Sequence, residues 1–89
     1  MKVKSGFVLR EIAGQYMAVA VGTRARELHG MIGMNETAAF LWEKLQKETT
    51  EEQLAEALLE EYEIDEPKAL QTVKNFLESL KEEGVLEND

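Results

Sequence analysis

The sequence predicts an α+β protein in which a three-stranded antiparallel sheet precedes a bundle of three helices. Three observations predict it. Up to about residue 34 the apolar residues fall in short β-rich runs broken by turn residues. From Asn35 onward they recur at spacings of three and four. Helix-start signals at Asn35, Thr50 and Asp65 divide that second part into three segments. A single domain over 1–89 is expected, with the sheet over about 5–34 and the helices over about 35–86.

After a polar lead-in, Phe7-Val8-Leu9-Arg10-Glu11-Ile12 is the first run. Ala13-Gly14 separates it from Gln15-Tyr16-Met17-Ala18-Val19-Ala20-Val21, and two strands joined by two residues make a hairpin, with Gly14 suited to the positive φ of a tight turn. In the second strand Met17, Val19 and Val21 are the more uniformly apolar set and are placed inward. Gly22-Thr23-Arg24-Ala25-Arg26 is a loop. A third, short strand is expected over Leu28-His29-Gly30-Met31-Ile32, closed by Gly33 and the helix cap. Gly30 inside it fits either a bulge or a site where another backbone comes close. A three-stranded sheet leaves two borders open unless something covers them.

Asn35 supplies a side-chain oxygen for an unpaired amide of the first helical turn, and Glu36 adds negative charge where the helix dipole is positive. Ala38, Leu41, Trp42 and Leu45 then share one face, which assigns the single tryptophan to the core; this helix is expected to end near Lys47. Thr50 with Gln53 three residues on is a capping box, opening a helix from Glu51 to about Tyr62 with Leu54, Ala55, Leu58, Leu59 and Tyr62 as its apolar stripe. Asp65 caps the third helix and Pro67 fits its first turn. Ala69, Leu70, Val73, Phe76, Leu77 and Leu80 hold helical spacing over about four turns. Gly84 suits the left-handed closing position, with Val85 or Leu86 folding back on Leu80. The last residues are expected to fray. Two helices joined by a brief turn, then a longer third, beside a small sheet make a winged helix-turn-helix-like arrangement with the sheet first.

Composition narrows the function. With 89 residues, 44% of them hydrophobic and 31% charged, the chain is expected to form one soluble core. It has neither the roughly 20-residue apolar run of a membrane span nor a signal peptide, so a cytoplasmic protein without membrane contact is expected. The absence of cysteine removes disulfides, thiolate metal sites and thiol nucleophiles. Charge is uneven: up to Met34 five basic residues stand against two acidic ones, net +3, whereas the rest has five against sixteen, net −11. A nucleic-acid reader needs a positive face. On the third helix the candidate base readers Lys68, Gln71, Lys74, Asn75 and Lys81 are diluted by Glu78, Glu82 and Glu83, so no nucleic-acid partner is expected.

No catalytic constellation stands out. His29 is the lone histidine and is taken as a partly exposed strand residue. Ser5 and Ser79 lack a neighbouring base, and the glycines follow no phosphate-binding pattern. Glu56, Glu60, Glu61 and Glu63 are placed on a solvated helix face, without the burial or charged neighbour that acid or base work needs. No catalytic residue, metal site or cofactor is assigned. Met17, Met31 and Met34 gather near the last two strands, where methionine fills a core or lines a surface that accepts varied apolar groups.

Met34-Asn35-Glu36-Thr37-Ala38-Ala39-Phe40-Leu41-Trp42, Thr49-Thr50-Glu51-Glu52-Gln53-Leu54, and Phe76-Leu77-Glu78-Ser79-Leu80-Lys81-Glu82-Glu83-Gly84-Val85-Leu86, in this order and spacing, resemble the PqqD family, pyrroloquinoline quinone biosynthesis protein D and its relatives. The resemblance covers nearly the whole chain. It implies a non-catalytic peptide chaperone that binds the leader segment of a ribosomally made precursor peptide and presents it to a modifying enzyme of the radical S-adenosylmethionine type, as in pyrroloquinoline quinone biosynthesis. It further implies that the leader adds as a strand along the third strand, at Leu28, His29, Gly30, Met31 and Ile32. The helix side of that site is drawn from Leu70, Val73, Lys74, Leu77 and Lys81. Lys74 and Lys81 fit acidic leader residues, or pairing with Glu78 on the helix surface. An unpaired border also allows a homodimer. Two other functions remain as alternatives: a winged-helix nucleic-acid-binding or regulatory domain, and a docking subunit that meets a larger enzyme through acidic helices.

Overall fold

The computed structural model describes residues 1–22 and 31–87. Its element order is β1 (Lys2–Val3), β2 (Phe7–Ile12), β3 (Gln15–Ala20), β4 (Met31–Met34), α1 (Glu36–Lys44), α2 (Glu51–Glu61), α3 (Glu66–Glu83) and β5 (Leu86–Glu87). Two compact units divide the chain inside α1: Lys4–Phe40, which holds the larger sheet, and Met1–Val3 with Leu41–Asp89, which holds the helices.

In the sheet unit β2 and β3 form the expected hairpin, in register from Phe7↔Ala20 to Ile12↔Gln15. Both turn residues have positive φ, 53° at Ala13 and 79° at Gly14, as the two-residue turn that follows strand twist requires. β3 also pairs antiparallel with β4, from Tyr16↔Met34 to Val19↔Met31, giving the order β2-β3-β4.

Two expectations are corrected here. The third strand continues past Ile32 to Met34, its described residues being Met31–Met34, whereas Leu28, His29 and Gly30 of the expected strand lie outside the described residues. Gly33 does not stop the strand: its backbone continues the ladder opposite Met17, and the helix needs only Asn35 for its cap. The covered face of the sheet is also the other one. Ala18 is 1% exposed whereas Val21 is 40% exposed, so the side shared by Tyr16, Ala18 and Ala20 is the more enclosed. Alternation fixes which residues share a side, and uniform apolarity was a poor guide to which side is covered.

The start of α1 follows the sequence: the Ala38 amide donates to Asn35 Oδ1 at 2.8 Å. The helix ends at Lys44, a turn earlier than expected, with the Leu45 amide donating to the carbonyls of Leu41 and Trp42.

In the helical unit the capping box of α2 is complete. Gln53 N–H donates to Thr50 Oγ1 at 3.1 Å and Thr50 N–H to Gln53 Oε1 at 3.2 Å. Asp65 Oδ1 accepts from the Lys68 amide at 2.9 Å, Pro67 lies in the first turn of α3, and Gly84 closes that helix at φ 73°, ψ 26°. The Val85 amide then donates to the Leu80 carbonyl at 3.1 Å. α2 and α3 pack on one another.

The core of this unit comprises Trp42, Leu41, Leu45, Leu54, Leu58, Val73, Leu77, Leu80 and Val85, each at most 3% exposed. Among the described residues, all the buried apolar side chains except Ala18 and Ala39 belong to it.

One feature had no signal in the sequence. β1 and β5 pair antiparallel, Lys2↔Glu87 and Val3↔Leu86, to form a two-stranded sheet. Val3 N–H also donates to the Leu45 carbonyl at 2.9 Å, and Thr49 N–H to that of Met1 at 2.9 Å. Residues 2–3 of the polar lead-in and residues 86–87 are thereby held, with Val3 and Leu86 both 5% exposed.

Candidate functional site

β4 is a border strand. Its inner side pairs with β3, and no described strand lies along its outer side. Backbone amides and carbonyls on that outer side form a row that any extended chain of matching register can pair with. Along β4 the exposure alternates: Met31 is 59% exposed and Gly33 is exposed, while Ile32 and Met34 are half-buried. Of the strand residues assigned from sequence, the structure therefore places Met31 and Ile32 on β4. Gly33 and Met34, which were not assigned, belong to it as well. The signal that could have found them is the unbroken apolar spacing through Met34.

On α3 the assigned residues separate into two kinds. Val73 is fully enclosed and Leu77 is 3% exposed; both are core residues of the helical unit. Leu70 is half-buried, and Lys74 and Lys81 are exposed. Leu70, Lys74, Leu77 and Lys81 follow one another at spacings of four, three and four, so they form a single row along the helix. Val73 and Leu77 help fix that row through packing, and Leu70, Lys74 and Lys81 are the members whose side chains reach the surface. Neither lysine is ion-paired with Glu78, which leaves both ammonium groups open to other anions.

Two concavities lie within single units. In the sheet unit a cavity of about 550 Å³, lined by Glu11, Tyr16, Gly33, Met34 and Glu36 among others, opens where the hairpin turn and the end of β4 meet the start of α1. In the helical unit a smaller one of about 230 Å³ lies between α2 and α3, floored by Ala55, Leu59 and Leu70 and rimmed by Glu52, Glu56 and Glu66. Neither brings a nucleophile to a base. Among the described residues no three His, Cys, Asp or Glu side chains are grouped to hold a metal, and no helix is long and apolar enough to cross a membrane.

The fold and this strand together define a small α+β protein, with an antiparallel sheet ending on a border along which no described strand lies and three helices following in sequence. The chain belongs to the PqqD family, described as Coenzyme PQQ synthesis protein D, which it matches over residues 8–86. No curated protein matches it in sequence. Two solved structures share its fold. TbiB1 in complex with the TbiA(beta) leader peptide has a TM-score of 0.76 and 21% identity, covering 100% of this chain and 98% of that one. Lasso peptide synthetase B1 complexed with the leader peptide has a TM-score of 0.70 and 19% identity, covering 94% and 93%.

Proposed function

We propose that this protein is a cytoplasmic, non-catalytic peptide chaperone. It binds the leader segment of a ribosomally made precursor peptide by strand addition along β4 and presents it to a modifying enzyme of the radical S-adenosylmethionine type. The observation that carries this reading is the outer side of β4, along which no described strand lies. Family membership supports it, and so do two proteins of the same fold whose structures hold leader peptides. In this reading residues 1–89 act as one peptide-binding domain. The strand side is Leu28, His29, Gly30, Met31 and Ile32, extended to Gly33 and Met34. On the helix side Leu70, Lys74 and Lys81 present their side chains, and Val73 and Leu77 hold them in place from the core.

Magnitudes set what the site must contain. A four-residue strand exchanges up to about four outward backbone hydrogen bonds, each worth roughly 0.5–1.5 kcal/mol net. That sum, roughly 2–6 kcal/mol, falls short of the about 8 kcal/mol of micromolar binding. Side-chain anchors must supply the rest, and the exposed Met31, with its adaptable thioether, suits that role. Lys74 and Lys81 meet acidic residues of the leader and set its direction.

The test uses a cognate precursor peptide, synthesised with single N-methyl groups at successive backbone amides. In an added antiparallel strand alternate amides face the protein. Affinity should fall about tenfold or more at every second position and hold at those between. Uniform loss, or none, would overturn strand addition. Without peptide the same border can accept β4 of a second copy, so any homodimer at high concentration should dissociate when peptide is added. The nucleic-acid alternative is not favoured: the helical unit has six basic residues against fifteen acidic ones, net −9, a field that repels phosphates.

A further inference from the structure

The four exposed large hydrophobic residues among those described are Val8, Ile12, Val21 and Met31. Register puts three of them on one side of the larger sheet: Val8 lies opposite Val19, Ile12 opposite Gln15, and Met31 opposite Val19 from the other strand. Val21, one residue past β3, continues the same alternation, and the Val21 amide donates to the Gly6 carbonyl at 2.8 Å. Half-buried Met17 and Val19 complete the patch. Arg10, opposite Met17, is the only charged residue on this side among those described in the strands. A contiguous side rich in Val, Ile and Met around one arginine has the composition of a protein interface core, and apolar residues gathered in this way mark such surfaces.

We infer that this side of the sheet, carrying Val8, Arg10, Ile12, Met17, Val19 and Met31, is where the modifying enzyme docks. Its counterpart on the enzyme is an apolar surface bearing a carboxylate that receives Arg10. The inference rests on the reading that a leader strand lies along β4. A strand added there continues the sheet and turns alternate side chains to the side of Met31. An enzyme seated on that side touches chaperone and peptide together, so the patch and the peptide make one continuous surface. Charge separates this occupant from a second copy of the chain. Pairing two such sides brings two Arg10 guanidinium groups into an apolar contact with no carboxylate from the strands of either copy, and an unpaired buried charge is strongly unfavourable. A carboxylate on the enzyme removes that penalty and adds a charge-assisted hydrogen bond.

The test uses Arg10→Glu and Ile12→Ser, both on β2 and therefore on the far side of β3 from the peptide border. Each variant is titrated separately with the purified cognate modifying enzyme and with the purified cognate precursor peptide. Enzyme affinity should fall about tenfold or more in both variants while peptide affinity stays within about twofold. A charge-reversed enzyme carboxylate should restore Arg10→Glu. Unchanged enzyme affinity in both variants would overturn the inference. So would a wild-type dimer in sedimentation that Arg10→Glu dissociates, since the side would then belong to a second copy. Equal loss of both affinities with a lowered melting temperature would mark unfolding; Arg10→Gln, which keeps a polar side chain of similar reach, then decides, and its full enzyme affinity would overturn the inference. If wild-type protein binds enzyme but no peptide, the leader-binding reading fails while docking at the patch still stands or falls on the variants.

Discussion

Ala13 holds φ at 53°, a left-handed angle at a residue with a Cβ. That conformation costs an L-residue roughly 1–2 kcal/mol, and glycine or asparagine adopts it more readily. Ala13→Gly and Ala13→Asn should therefore stabilise the protein by about 1 kcal/mol, read as a raised urea midpoint with an unchanged m-value; a lowered midpoint would contradict the turn geometry. Gly84 is the reverse case. Its φ of 73° closes α3, and open space surrounds the position a Cβ would take, so Gly84→Ala should cost about 1 kcal/mol through backbone strain alone. Trp42, 1% exposed within the helical core, should cost roughly 3–5 kcal/mol when cut to alanine. Its role, like those of Asn35, Thr50, Asp65 and Gly84, was legible in the sequence because caps and periodic apolar faces are local rules. Val73 and Leu77 illustrate what was not legible. Helical spacing put them on the apolar stripe and the family resemblance put them in the peptide site with Lys74 and Lys81, yet how much of each side chain remains at the surface depends on packing partners that no local pattern names.

Elements show the same division between local and non-local causes. All three helices begin where their caps placed them, and removing the reciprocal pair at α2 by Thr50→Ala should lower stability by about 1 kcal/mol, with the loss appearing in chemical denaturation and amide exchange of Gln53 rising first. The hairpin was also legible, since a two-residue turn sets its register. The end of β4 was set too early because glycine is depleted in strands and Gly33 was read as a stop. β1 and β5 were missed altogether, since two-residue strands have no periodicity and their pairing spans nearly the full sequence. The described part of β4 was thus half legible: Met31 and Ile32 were expected on the strand, and Gly33 and Met34 required the observed ladder.

At the scale of the molecule, the described residues of the sheet unit contribute only Ala18 and Ala39 to the buried apolar set. A small antiparallel sheet with so little enclosed apolar surface is not stable by itself in water. We therefore expect a single cooperative transition in which Trp42 fluorescence, reporting the helical unit, and the methyl signals of Met17 and Met31, reporting the sheet, change at the same denaturant concentration. Two separate midpoints would show that the sheet unit holds without the helices. The pairing of β1 with β5 has a practical consequence of its own. Because Lys2 lies opposite Glu87, a peptide linker of a few residues joining Glu87 to Met1 could make a ring of the chain with little disturbance of the native backbone. Such a cyclic version should resist heat and exopeptidases better than the linear one, since closing the chain removes freedom mainly from its unfolded forms.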